Sequence, residues 1–269
     1  MFKDITIGQY VEGSSFIHKM DARVKLLLTL FYIIILFMIK SPIAYAAFTV
    51  FTLFLVLLSQ VPLKFILRGL KPMLYILIFT AFINLFMTPS NTPPLWVCPF
   101  WSALKITREG VVTAVLMILR LIYLVIGTSV LTLTTSPLML TDGIEKLLKP
   151  LEVIKVPSHE IAMMMTIAIR FIPTLSEETE KIMKAQMARG ADFESGNILK
   201  RAKAMIPLLV PLFISAFRRA DDLAVAMDSR CYHGGKNRTR MKQMKMTYRD
   251  ALASAVMLIF AIAVIALPR

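Results

Sequence analysis

The chain has 269 residues, 57% of them hydrophobic, with a formal net charge of +14 and a mean hydropathy of +0.69. That composition excludes an ordinary soluble domain and reads as an integral membrane protein. The charge does not indicate nucleic-acid binding, because the basic residues are spread between hydrophobic runs and carry no nucleic-acid-binding fingerprint.

In chain order, the first hydrophobic run covers Val24 to Ile39, and Pro42 separates it from a second, Ile43 to Leu58. Both are short for membrane spans, so the flanking Lys25 and Lys40 are expected to snorkel to the interfaces. No charged-then-apolar signal with a cleavage site precedes Val24, so no secretory peptide is expected to be removed. Pro62 and Pro72 bracket a basic loop whose amphipathic piece, Leu63 to Leu70, is expected at the membrane surface. The third run, Met73 to Met87, leads into a loop with Pro89, Pro93, Pro94 and Pro99, where Trp96 and Trp101 suit the headgroup level.

The fourth run, Val111 to about Leu133, contains Arg120. An ionisable residue in a span is a functional candidate by default. Its structural alternative is pairing with backbone carbonyls or with Asn84, and the lack of a carboxylate in any span favours that role. The same lack argues against an ion-coupled mechanism.

Beyond the fourth run, Ser136 and Pro137 make a helix start, and Ile144, Leu147, Leu148, Leu151 and Ile154 form one apolar stripe. Ser158 is placed to cap a longer helix, which Pro173 should kink. Its later part puts Leu175, Thr179, Ile182, Met183 and Met187 on one face, with Glu177, Glu178, Glu180, Lys181 and Lys184 covering the rest. A second arm, roughly Asn197 to Arg230, is expected to bend at Pro207 and Pro211. At ~1.5 Å per residue it would be about 50 Å long, too long and too charged to cross a hydrocarbon core of ~30 Å. The last run, Ala251 to Leu267, begins with the small residues Ala251, Ala253, Ser254 and Ala255, which suit close helix packing.

Most basic residues lie before the first run, in the loop after the second, and after the fourth, which leaves Lys40, Lys105 and Arg108 as the few between the other runs. By the positive-inside rule these segments face the cytoplasm, which puts the amino terminus inside and the carboxyl terminus outside. Cys98 and Cys231 then lie on opposite sides and cannot pair. No phosphate-cradling loop is present: Gly234-Gly235-Lys236 lacks both the first glycine and the following hydroxyl. His18, His159 and His233 are too scattered for a metal site, and no catalytic constellation suggests a membrane enzyme.

Each arm ends at an arginine among small residues, Ala188-Arg189-Gly190 and Ser229-Arg230-Cys231. A single arginine there would be an ordinary helix-end cation, favoured by the helix dipole. Two, each followed by glycine (Gly190 and Gly196; Gly234 and Gly235), suit a carboxylate-lined groove on a partner.

The run Lys184-Ala-Gln-Met-Ala-Arg-Gly-Ala-Asp192, followed by Arg230-Cys-Tyr-His-Gly-Gly235, resembles the transmembrane coupling subunit, EcfT, of energy-coupling factor (ECF) transporters. The likeness extends to His18-Lys-Met-Asp-Ala-Arg-Val-Lys-Leu26, Leu140-Thr-Asp-Gly-Ile-Glu-Lys-Leu147 and Ile169-Arg-Phe-Ile-Pro-Thr174. One departure is Ser-Arg-Cys in place of a second Ala-Arg-Gly, where Gly234 and Gly235 could supply the helix-ending geometry.

The resemblance implies an all-α membrane protein of five transmembrane helices, with three cytoplasmic amphipathic coupling helices inserted before the last. The expected division is a membrane domain over 1–135, a coupling-helix domain over 136–248 and a final span over 249–269. It further implies the scaffold of an ATP-driven micronutrient importer in a prokaryotic cell membrane, itself without cofactor or catalysis. The expected partners are two ABC-type ATPases, a small substrate-binding membrane subunit and membrane lipids. Ala188, Arg189, Gly190, Ser229, Arg230 and Cys231 would dock the ATPases, and Met183, Met187, Met205, Leu208 and Leu212 would meet the substrate subunit. The alternative is a free-standing secondary permease.

Overall fold

The computed structural model describes residues 10–39, 41–87, 96–97, 105–193, 197–235 and 244–266. The chain runs through α1 (Ala22–Met38), α2 (Pro42–Ser59), α3 (Leu63–Leu70) and α4 (Leu74–Met87), then β1 (Trp96–Val97) and β2 (Lys105–Ile106). It continues through α5 (Arg108–Thr134), α6 (Pro137–Leu148), α7 (Ser158–Ala188), α8 (Ile198–Asp228) and α9 (Tyr248–Ala266). Among the described residues the architecture is all-helical apart from the antiparallel β1–β2 pair, two residues on each side. Lys40, Cys98, Trp101 and the four loop prolines lie outside the described residues.

Among the described residues, four helical stretches are long and apolar enough to cross a membrane: α2, Leu63–Phe86, α5 and α9. The second of these joins α3 to α4 through a 3-10 turn at Lys71–Met73. Leu63 to Leu70 is therefore one end of a longer helical stretch rather than a separate surface piece, and Pro72 sits in the 3-10 turn that joins the two parts. At 17 residues, α1 is about 25 Å long, shorter than a ~30 Å hydrocarbon core.

The chain divides into two compact units, Gly8–Gly143 with Met244–Arg269, and Ile144–Gln243. The first is built around buried Tyr32, Leu36, Phe48 and Tyr123. The Tyr32 hydroxyl is 3.0 Å from Thr52 Oγ1 and donates to the Tyr123 carbonyl at 3.2 Å, so the core phenol is satisfied. Gly127 lets α5 press on that ring, because a Cβ there would lie 2.5 Å from a Tyr32 ring carbon. Arg120 donates to the Ile39 carbonyl at 3.0 Å and to the Tyr45 hydroxyl at 2.9 Å, and its guanidinium lies over the Phe37 and Tyr45 rings. It thus caps the carboxyl end of α1, a carbonyl pairing of the kind its position suggested, while the Asn84 amide donates within its own helix to Thr80.

Three helix ends of this unit are tied by buried charge. Asp21, the N-cap of α1, accepts from the Arg23 amide at 3.0 Å and pairs with the Arg23 guanidinium at 2.7 Å. Asp250, in the first turn of α9, accepts from the Thr247 amide at 2.7 Å and from the Asp21 amide at 2.8 Å. One carboxylate therefore caps α9 and fastens it to the start of α1. Lys25 does not snorkel outward. It is 4% exposed, and its ammonium donates to the carbonyls of His18 and Thr134 and to Thr135 Oγ1, closing the carboxyl end of α5. Asp21 and Asp250 supply the opposite charge around it, which makes the inward rotamer tenable.

Asp250→Ala should lower stability by about 3 kcal/mol, because it strips the buried Asp21 amide and the Thr247 amide of their acceptor and removes a counter-charge of Lys25. Thermal unfolding in detergent measures this. Asp250→Asn, which keeps an acceptor oxygen, should lose less.

Candidate functional site: a helical hairpin with two arginine tips

In the unit Ile144–Gln243, α7 and α8 are both 31 residues long and form an antiparallel hairpin. The direction follows from their contacts: Glu178 of α7 meets Ser215 and Arg219 of α8, while Gln186, farther along α7, meets the earlier Pro207. Each contact has a local cause. Pro211 has no N–H to give the Pro207 carbonyl four residues back, and the Gln186 side-chain amide donates to that freed oxygen at 3.3 Å. Ser215 and Arg219 are four apart and share a helix face, so one carboxylate takes both, with Arg219 at 2.8 Å. Both helices run unbroken through their prolines, Pro173 in α7 and Pro207 and Pro211 in α8.

The start of α7 differs from the expected cap, whereas α8 begins after Asn197, as its sequence suggests. Ser158 is the first helical residue of α7 rather than its cap, and its hydroxyl donates to the Glu152 carboxylate, outside the helix. For α8, the Asn197 carbonyl accepts the first intrahelical bonds, from Lys200 and Arg201.

The two arms end identically. After α7 the amides of Arg189, Gly190 and Ala191 donate to the carbonyls of Gln186, Met187 and Gln186 at 3.1, 2.9 and 3.0 Å. After α8 the amides of Arg230, Cys231 and Tyr232 donate to those of Met227, Asp228 and Met227 at 3.1, 2.9 and 3.1 Å. This is the Schellman arrangement, in which a left-handed residue turns the chain back and backbone amides satisfy the last carbonyls. Gly190 holds that left-handed position in the first arm at φ 88°. In the second, Cys231 holds it at φ 54°, so the turn does not depend on Gly234 or Gly235. Each arginine therefore sits at the C-cap, exposed, and among the described residues neither guanidinium has an ion-pair or hydrogen-bond partner. Because the hairpin is antiparallel, the tips lie at opposite ends of it, roughly 40 Å apart along the axis at ~1.5 Å per residue.

The apolar surface of α8 is placed differently from the expectation. Leu208 is 6% exposed, on the same helix face as Ser215 and Arg219, which turns it toward α7. Met205 and Met187 are exposed, and Met183 and Leu212 are half-buried. The outward stripe consists of Ile206, Leu209, Val210, Phe213, Ile214 and Phe217, all exposed and spaced three and four apart. An arm that is apolar on every side gives no sequence signal for which side packs, and this displaced the expectation by a residue or two. The freed carbonyl before Pro211 was a readable signal for a partner such as Gln186. Among the described residues no group of three or more His, Cys, Asp or Glu side chains could hold a metal ion.

Cys231→Gly should stabilise the second tip by about 1 kcal/mol, since glycine adopts the left-handed conformation without steric cost. Cys231→Val should destabilise it, because a β-branched side chain there clashes with its own backbone. Thermal unfolding of the two variants should bracket that of the natural chain.

The chain is similar to known proteins along nearly its whole length. The family model described as CbiQ, cobalt transport protein, matches residues 13–242. An energy-coupling factor transporter transmembrane protein EcfT from Clostridium kluyveri is 59% identical, covering 96% of this chain and 95% of its own length. The EcfT protein of Thermosediminibacter oceani is 57% identical over 93% of both chains, and that of Bacillus subtilis 44% identical over 97% of both. With similarity of this depth along nearly its whole length, the chain belongs to the CbiQ family, among the EcfT transmembrane proteins of energy-coupling factor transporters.

Proposed function

We propose that this chain is the membrane scaffold that carries ATPase motion to a separate substrate-binding membrane subunit of an ATP-driven micronutrient importer. The observation that carries the reading is the matched pair of arm ends, each presenting an exposed C-cap arginine, Arg189 or Arg230, beyond a backbone-closed helix. Ala188, Gly190, Ser229 and Cys231 keep the approach to each guanidinium narrow and free of bulk. A forked guanidinium so placed suits a bidentate pair with a carboxylate, one on each of two ATPases. The exposed stripe of α8 offers an apolar surface to the substrate subunit, with Met183, Met187, Met205 and Leu212 as further contacts of the hairpin. In this reading α1 is the first of five spans, the amino terminus and the hairpin face the cytoplasm, and the carboxyl terminus faces outward.

Glu178 and Gln186 fasten the arms to each other, so a push at one tip turns the pair as a lever rather than bending one helix. Closure of the ATPase dimer would then tilt a carrier resting on the stripe.

Arg189→Ala or Arg230→Ala should weaken ATPase capture by a factor that reflects ~2–5 kcal/mol for a truncated interfacial pair. The double variant should fall well below either single one in co-purified ATPase and in substrate uptake. Lysine at these positions should rescue only in part, because it keeps the charge and loses the planar fork. Full ATPase occupancy and normal uptake by the double alanine variant would contradict the reading, and uptake without ATPases would favour a free-standing permease.

Topology has its own test. Cys98 should react with impermeant maleimide from outside, and Cys231 only after permeabilisation. Reaction of both from one side would contradict the five-span arrangement.

A further inference from the structure

Among α1, α2, α5 and α9 the unit Gly8–Gly143 with Met244–Arg269 encloses a cavity of about 240 Å³. Its walls are apolar, with Leu28 on α1, Phe51 and Leu58 on α2, Leu131 on α5 and Met257 on α9. Lys25 also borders it, but its ammonium is turned to the three oxygens that close α5. Apolar cavities of about 150 Å³ already take in benzene, so the space here has room for part of an apolar chain. Neither the mutual packing of these helices nor the arginine tips uses it.

Two features say what fills it. Phe54 and Leu252 line the cavity yet are 50% and 55% exposed, so it opens sideways between α2 and α9, where an apolar chain can enter from hydrocarbon. The lining also gathers at one end of the bundle, where α1 and α9 begin and α2 and α5 finish, and two cations stand there. Exposed Lys19 immediately precedes the lining residue Met20, and Arg249 lies three residues before Leu252, on the same face of α9. Arg249 is half-buried against the Tyr248 ring, 5.6 Å from its centroid, which limits how far its guanidinium ranges.

We propose that this cavity holds one acyl chain of an anionic phospholipid, with the phosphate headgroup between Lys19 and Arg249. The tail supplies the contacts that the lining side chains lack, and the headgroup meets two cations at the interface. The lipid then acts as a wedge against α9, whose start is held by Asp250.

The test uses the full-length chain in nanodiscs of equal phosphatidylglycerol and phosphatidylcholine, with a diazirine-bearing acyl chain on one headgroup or the other. The expected result is labelling at Leu131 and Met257 that favours phosphatidylglycerol by about fivefold per cation. Ala253→Phe, which fills the cavity, should cut labelling severalfold, and Lys19→Glu with Arg249→Glu should abolish the headgroup preference without disturbing the core. The charge pair keeps the test decisive if the filled variant fails to fold. Equal labelling by the two headgroups would overturn the proposal, as would labels confined to outward residues such as Ile259 and Ile262. So would a photo-crosslinker at Leu131 that captures a membrane protein instead of phospholipid in the assembled transporter.

Discussion

An α-helix leaves its first amides and last carbonyls without partners, and in a largely apolar chain those groups must be closed by something. Here two solutions coexist, and much of the architecture follows from which one is used where. In the unit that holds the apolar helices, side-chain charge closes the ends: Asp21 and Asp250 at the starts of α1 and α9, Lys25 at the finish of α5, Arg120 at the finish of α1. In the hairpin the backbone closes its own carboxyl ends through Schellman turns, which consume no side chain. That difference leaves Arg189 and Arg230 without partners among the described residues, while Arg23 and Arg120 are held by Asp21 and by Ile39 and Tyr45.

The hairpin combines a fixed side with a free one. Glu178, Gln186, Leu208, Ser215 and Arg219 bind α7 to α8, and the proline-freed carbonyl of Pro207 becomes an attachment point rather than a defect. The other side of α8 exposes six apolar residues in one stripe. Such a stripe is costly in water and exceeds what single scattered hydrophobes explain, which is the physical ground for assigning it to a partner in the proposed mechanism. The Glu178–Arg219 pair is partly solvated, so its value lies in fixing the register of the two arms more than in stability.

Much of this was legible in the sequence. The hydrophobic runs, the two long oblique helices and their arginine ends follow from period and composition, and the helices fall where those patterns put them. What escaped was orientation. A lysine one turn into a hydrophobic helix reads as a snorkelling cation, and only the third dimension brings Asp250 from the far end of the chain to hold Lys25 inside. Nothing in the apolar middle of α8 marks the packed side, so Leu208 gives no sign in the sequence that it is buried. Glycine is the usual left-handed residue, so the sequence points to Gly234 and Gly235, whereas the hydrogen-bond register fixes the turn at Cys231, immediately after Arg230. The residue type of Ser158 suggests a cap, but its hydroxyl donates to Glu152 instead.

The central claim is that the two helix tips are the places where ATPases hold this chain. Site-specific photo-crosslinking in the intact transporter tests it most directly, with a photoreactive residue at Ala188 or at Ser229, each beside an arginine and outside the hairpin contacts. The account predicts that both positions capture ATPase, each a different protomer, and that a control at Phe213 on the exposed stripe captures a membrane protein instead. Capture of ATPase at Phe213, with none at Ala188 or Ser229, would contradict it.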